Sequence, residues 1–391
     1  MNKYRYLRAG AAVIIGILSV SAFAGLFYPL KIFDLQLTAL LQRVLVDFSL
    51  FAVILAAALV FFTFLFGRIY CSVLCPLGLY QEFLMLLFRR RTGFRPNRPY
   101  KYFLAALVFG ALIGGTAALL LSLAALSTGW YLDHHVWTTN YTIETPKKIK
   151  DLRIVLFADS HIGTTFDTRG FAEHISEMQR QNPDIVLVAG DFVDDGTTRQ
   201  QMIEACRALG SLQTTYGVYF AFGNHDKGYH DPAARGFTGD DLMAELKKNN
   251  VKVLQDENTL IDNRFYIIGR KDFSEILRGN PRQSMNELLQ GLNKEKFSII
   301  LDHQPNDYNN QTDAEADLVL SGHTHGGQLF PLNKVGEWIG ANDKTYGYEK
   351  RKQTNFIVTS GLSDWAIKFK TGTKSEFVVI DIKHNNSPSS Q

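Results

Sequence analysis

Three cysteines in 391 residues are too few for a disulfide framework, so any soluble part of this chain must rely on its own apolar core. Acidic residues are scarce at the front. Met1–Thr128 carries twelve Lys/Arg against three Asp/Glu, whereas the remainder carries 29 against 35. The net charge of +3 is thus the balance of a basic front and a mildly acidic rear. A nucleic-acid partner would want a basic face on the soluble part, and that balance offers none. No internal repeat is visible.

What the front does contain is long runs without charge. Ala11–Leu30, Phe48–Phe66 and Tyr102–Leu126 each approach or exceed the length that a helix needs to cross a bilayer. They predict an α-helical membrane region over residues 1–128 with about three transmembrane helices. Lys3, Arg5 and Arg8 before Ala22-Phe23-Ala24 resemble a signal peptide, but the apolar run continues past that point, which favours an uncleaved anchor. Arg68, Arg89, Arg90, Arg91, Arg95, Arg98 and Lys101 face one acid, Glu82, between the second and third runs. Such a loop stays cytoplasmic, which places the multi-pass chain in the cell membrane with its soluble domain extracytoplasmic. A further span in Tyr70–Phe88 would reverse that.

The interrupted stretch GRIYCSVLCPLGLYQEF holds Cys71 and Cys75. It resembles the membrane segment of polyferredoxin-type electron-transfer proteins. A cubane cluster needs four thiolates, and the Cys-x-x-Cys-x-x-Cys run is absent. Two cysteines four apart share a helical face, so a redox pair or a half-site shared by a dimer stays open beside a mere packing motif. Cys206 is expected to be a buried small side chain.

Residues 129–149 read as a polar and aromatic connector, with the sheet beginning near Tyr141. Beyond it, short apolar runs alternate with helical patterns. Ile154–Ala158, Ile185–Ala189, Val218–Phe222, Ile299–Leu301 and Leu318–Leu320 read as buried strands. Thr168–Gln181, Thr198–Leu209, Asp240–Asn249 and Ser284–Leu292 read as helices, and Phe265–Ile268, Asn355–Thr359 and Glu376–Ile382 as further strands. The pattern points to an α/β domain of stacked sheets with helices outside, over residues 150–383. The polar tail, 384–391, is expected to be disordered.

Each of the five buried strands runs into metal-ligand chemistry: Asp159-Ser160-His161, Gly190-Asp191-Phe192-Val193-Asp194, Gly223-Asn224-His225-Asp226, Asp302-His303 and Gly322-His323-Thr324-His325. Five of the ten histidines sit here. Ligands at the ends of parallel strands converge on one crevice. Each motif alone is common, but five in order leave coincidence little room. Asp, His and Asn are oxygen and nitrogen donors suited to manganese, iron or zinc, and no thiolate is offered. Gly190, Gly223 and Gly322 are expected to turn the backbone sharply off each strand.

This order resembles that of the calcineurin-like metallophosphoesterases, and Gly-His-Thr-His-Gly-Gly-Gln resembles their membrane-associated bacterial branch. The resemblance implies a β-sandwich of two mixed sheets flanked by helices. It also implies two divalent metal ions, with Asp159, His161 and His325 on one, Asn224, His303 and His323 on the other, and Asp191 bridging. His225 resembles the family's catalytic histidine, with Asp226 orienting it. Asp194 is expected to organise its loop, and His134, His135, His174 and His230 to lie at the surface. The implied activity is hydrolysis of a phosphodiester, phosphomonoester or pyrophosphate, on an envelope or lipid-linked substrate. Two alternatives stand beside it: a membrane redox component working through Cys71 and Cys75, and a catalytically silent metal-binding scaffold.

Overall fold

Apolar five-residue runs such as Ile185–Ala189 are buried on both faces, and such strands need layers on either side. The computed structural model describes residues 118–229 and 232–385, and it meets that need with two stacked sheets. The first expected membrane runs, Cys71, Cys75, His230 and the last six residues lie outside the described part. Of the third run, residues 118–126 are described; they are helical, in a helix α1 that continues through residue 134. Among the described residues no helix is long and apolar enough to cross a membrane.

The strands are β1 (Val136–Thr145), β2 (Leu152–Phe157), β3 (Ile185–Ala189), β4 (Val218–Ala221), β5 (Val251–Val253), β6 (Glu257–Ile261), β7 (Phe265–Gly269), β8 (Phe297–Leu301), β9 (Leu318–Ser321), β10 (Gly347–Arg351), β11 (Thr354–Val358) and β12 (Ser375–His384). One sheet has the order β1-β12-β2-β3-β4-β5, the other β10-β11-β9-β8-β7-β6. Both are mixed: β12 meets β2 antiparallel, while β2, β3, β4 and β5 run parallel. In the second sheet β7, β8, β9 and β11 run parallel, with antiparallel β6 and β10 at the edges.

Strand periodicity divides the core. Ile154 and Leu156 of β2 face the opposite sheet, where they meet Ile299, Leu301 and Leu320. Val155 and Phe157 face the helices α2 (Thr168–Arg180), α3 (Arg199–Gly210) and α4 (Gly239–Lys248). A third cluster, around Ile268, Ile300, Tyr308 and Phe356, covers the outer face of the second sheet. The helices start where capping chemistry says they should. Asp167 accepts from Gly170, and Thr198–Gln201 and Thr238–Asp241 form capping boxes. Cys206 is buried on α3 beside Met202.

Two expectations change. The sheet starts at Val136, ahead of Tyr141, so much of the expected connector is strand β1 paired in register with β12. The helix expected over Ser284–Leu292 spans only Met285–Leu289.

Candidate metal centre

Every expected ligand sits on a loop leaving the end of a parallel strand, and those loops are laced together. Asp159 N–H donates to Gly190 O, His161 N–H to Asp191 O, and Gly322 N–H to His303 O. Asp159, His161, Asp191, His323 and His325 take left-handed backbone, with φ of 51°, 36°, 52°, 71° and 48°. Such conformations cost about 1–3 kcal/mol each in a non-glycine residue and persist where surrounding structure enforces them. Gly190 shares this geometry at φ 84°. Gly223 and Gly322 act differently from expectation: a Cβ on Gly223 would overlap the Asp191 carboxylate, and one on Gly322 that of Asp159. They leave room for ligands rather than turn the chain.

The expected ligands fall in two neighbouring clusters, beside a third group that shares His161 and adds Asp194 and His225. Asp159, His161 and His325 offer atoms within 4.8 Å of one another, as do Asp191, His303 and His323. Asp191 Oδ2 lies 3.1 Å from His303 Nε2 and 3.9 Å from His161 Nε2, so one carboxylate oxygen stands between the clusters. His303 Nδ1 is 2.6 Å from Ala189 O, which fixes the proton there and leaves Nε2 as the free donor atom. Asn224 Oδ1 lies 3.1 Å from that Nε2, its Nδ2 donating to Tyr229 Oη at 2.8 Å. Both ring nitrogens of His161 are buried without a hydrogen-bond partner. Buried polar atoms are rarely left so, and nitrogens aimed at a carboxylate-lined gap suit divalent cations.

Electrostatics agree. Burial opposes charge on Asp191, but His303, His161 and His225 outweigh it and hold the carboxyl well below the usual range. Burial likewise opposes charge on His303, yet Asp191 raises its pKa well above the ordinary value. His323 and His325 are pushed down to about 4, chiefly by burial.

One carboxylate departs from the role expected of it, and another adds a second role to the expected one. Asp226 does not meet His225. The turn after β4 folds it inward, where its oxygens accept from the N–H groups of Asp191, Phe192, Val193 and Gly223 at 2.8–3.2 Å. Those donors would otherwise be buried unpaired, so Asp226 braces the ligand loop. Burial and the charge on Asp191 push it up to about 7. The group beside His225 is Asp194, whose Oδ1 lies 3.0 Å from Nδ1. Asp194 also organises its loop, accepting from Asp195 N–H while its own N–H donates to Thr197. The His225 backbone N–H donates to Asp191 Oδ1 at 2.8 Å.

His225, Asp194, Asn224, His323 and His325 line an open cleft of about 750 Å³, with Tyr229 and Trp365 as its aromatic walls. The Tyr229 ring stands edge-on to His225 at 4.9 Å. Asp364, not singled out in the sequence, is fully buried 3.5 Å from His325 Nδ1 and 3.1 Å from Lys370 Nζ. Its signal was available: it follows an apolar strand, β11, through Thr-Ser-Gly-Leu-Ser, as the expected ligands follow theirs. Asp302 binds Arg270 and Arg282, not the cleft. His134, His135 and His174 lie apart from the donor clusters, half-buried or exposed.

Comparison with known proteins gives this geometry a family. The calcineurin-like phosphoesterase model matches residues 152–327, and a 4Fe-4S binding domain model matches residues 48–95. An uncharacterized metallophosphoesterase of Campylobacter jejuni is 32% identical over 62% of this chain and 62% of its own length. A transmembrane protein with metallophosphoesterase domain of Danio rerio is 31% identical over 61% of this chain and 54% of its own. The uncharacterized metallophosphoesterase YkuE of Bacillus subtilis is 29% identical over 71% of this chain and 96% of its own. The chain thus spans less than two thirds of the first two relatives. Within it, the segment carrying the two donor clusters is a calcineurin-like metallophosphoesterase domain.

Proposed function

We propose that this domain hydrolyses a phosphoester with water at a site for two divalent metal ions, manganese, iron or zinc. The observation that carries the reading is the position of Asp191 Oδ2 between His303 Nε2 and His161 Nε2. One carboxylate there offsets the repulsion of two close cations. In this reading Asp159, His161 and His325 hold one ion, Asn224, His303 and His323 the other, with Asp191 shared. When bound, such ions supply an activated water and neutralise phosphoryl oxygens.

The chain's own groups do the rest. His225, on the cleft wall, reaches the ester and hands a proton to the leaving oxygen or stabilises its charge. Asp194 orients the ring through Nδ1. Asp226 acts at one remove, by fixing the backbone that presents Asp191. Manganese-dependent hydrolysis of bis-p-nitrophenyl phosphate by the full chain tests this. Activity should fall about 10²–10⁴-fold in His225→Ala and vanish in Asp191→Ala; a wild-type chain inert with every divalent metal would leave the silent-scaffold reading.

The uncharged runs before Gly129 support a multi-pass membrane anchor with the domain extracytoplasmic, and relatives from Danio rerio and Bos taurus bear the name transmembrane protein. That location favours an envelope or lipid-linked phosphate as substrate. Protease accessibility on intact cells tests the sidedness. The 4Fe-4S match at residues 48–95 favours a second reading, a redox role for Cys71 and Cys75. Cys206 is buried elsewhere, so two thiolates remain where a cluster needs four, and a second chain would have to supply the others. Iron–sulfur absorbance lost in Cys71→Ser would support it.

A further inference from the structure

Beside the cleft, two loops expose a concentration of large apolar side chains. Phe330, Leu332, Trp338 and Ile339 on residues 328–341, and Trp365 and Ile367 on residues 363–372, are 50–72% exposed. The loops are locked to each other. Gln328 Nε2 donates to the carbonyls of Trp365, Ile367 and Phe369, Phe330 N–H donates to Thr371 Oγ1, and Thr371 N–H returns to Gln328 O. The apolar side chains are therefore held out by a rigid frame, and nothing among the described residues covers them. A large exposed apolar patch on an otherwise well-packed domain marks an interaction surface.

Three observations say what covers it. First, the patch adjoins α1, the helix that emerges from the uncharged run Tyr102–Leu126. Phe369 packs so closely on Gly129 that a Cβ there would overlap its ring, and Lys370 N–H donates to Gly129 O at 3.1 Å. On α1 itself Leu119, Leu120 and Leu121 are 55–72% exposed. Second, the composition is interfacial: tryptophans among aliphatics, with Lys334 and Lys368 exposed between them. Tryptophan and lysine are the side chains that settle at lipid head groups, lysine favouring anionic ones. Third, Trp365 belongs to both places, on the patch and on the cleft wall, its ring 5.8 Å from that of His225.

We propose that these two loops dock on the lipid bilayer, so that the cleft opens at head-group level and takes its phosphate ester from an amphiphile in that bilayer. The substrate half of this proposal rests on the hydrolytic function above; the docking half does not.

The test uses the full chain reconstituted in mixed phosphatidylcholine–phosphatidylglycerol vesicles. Subtracting the fluorescence of Trp338→Phe from that of the unmutated chain isolates Trp338. With brominated acyl chains replacing ordinary ones, about half or more of that difference should be quenched; equal intensity in both lipids overturns the docking. The double variant Phe330→Ser/Leu332→Ser, outside the cleft lining, should hydrolyse vesicle phospholipid at least about fivefold more slowly. Its rate on bis-p-nitrophenyl phosphate should stay unchanged. Unequal loss supports the proposal, whereas parallel loss on both esters, or loss on neither, overturns the substrate half. If the unmutated chain hydrolyses neither ester, the hydrolytic reading fails while the quenching result still judges the docking.

Discussion

Where β3 and β4 end, the donor loops are braced by one carboxylate and a ring of neutral backbone dipoles: Asp226 takes four N–H groups from the loops of Asp191 and Asn224. Where β9 and β11 end, the brace is made of ions. His325 touches Ser363 O and Asp364, Asp364 pairs with a Lys370 that is entirely buried, and Lys370 also donates to Ser360 O at 2.9 Å. Asp133, at the end of α1, is buried in the same group. Burial and the neighbouring Asp364 push it up to about 7, and it receives Thr165 Oγ1 at 3.1 Å. The first half of the site is thus self-contained. The second is wired to the helix that joins the domain to the N-terminal part of the chain, and a disturbance of α1 should be read at His325 before it is read at Asp191.

Breaking the first brace should have the largest effect. Asp226→Ala leaves four buried N–H groups unpaired, a loss on the order of 4 kcal/mol or more, seen as a lower midpoint in chemical denaturation and loss of both metals. Lys370→Met attacks the other brace. An uncompensated buried carboxylate costs about 3–5 kcal/mol, and here metal analysis should show the His325 cluster emptied before the His303 cluster. Loss of both metals together would mean that the halves are not independent.

Asp194→Asn refines the picture inside the first half. The ring of His225 stays but its charged neighbour goes, so kcat should fall about 10–100-fold with little change in KM or stability. The smallest effect is on pH. Because Asp191 holds the His303 pKa well above its ordinary value in the metal-free site, the ring carries a proton near neutrality that metal must displace. Affinity should therefore rise with pH by up to about tenfold per unit until that raised pKa is passed. Calorimetry in buffers of different ionisation enthalpy should show proton release; none would place the proton elsewhere.

The strand-end donors that the structure brings together are legible in the amino-acid sequence because each follows a run with one solution, a buried strand. Edge strands are not. β5, β6 and β10 carry sequences such as Val-Lys-Val and Gly-Tyr-Glu-Lys-Arg, half exposed and hence half polar, which present no apolar run. The exchange of Asp226 for Asp194 has a similar cause. Adjacency to His225 in sequence suggested Asp226, but successive side chains point apart, and Asp194 arrives from a loop some thirty residues earlier. Asp133 and Lys370 escaped notice because their chemistry exists only once α1 and the loop after β11 are brought together. Nothing local marks a lysine as buried.

The central claim is that one carboxylate, Asp191, is shared between two metal sites. Electron paramagnetic resonance of the manganese-loaded full chain tests it most directly. Two ions per chain with an exchange-coupled spectrum, the coupling lost in Asp191→Ala, is the result expected. A single uncoupled manganese per chain, or coupling that survives Asp191→Ala, would contradict it.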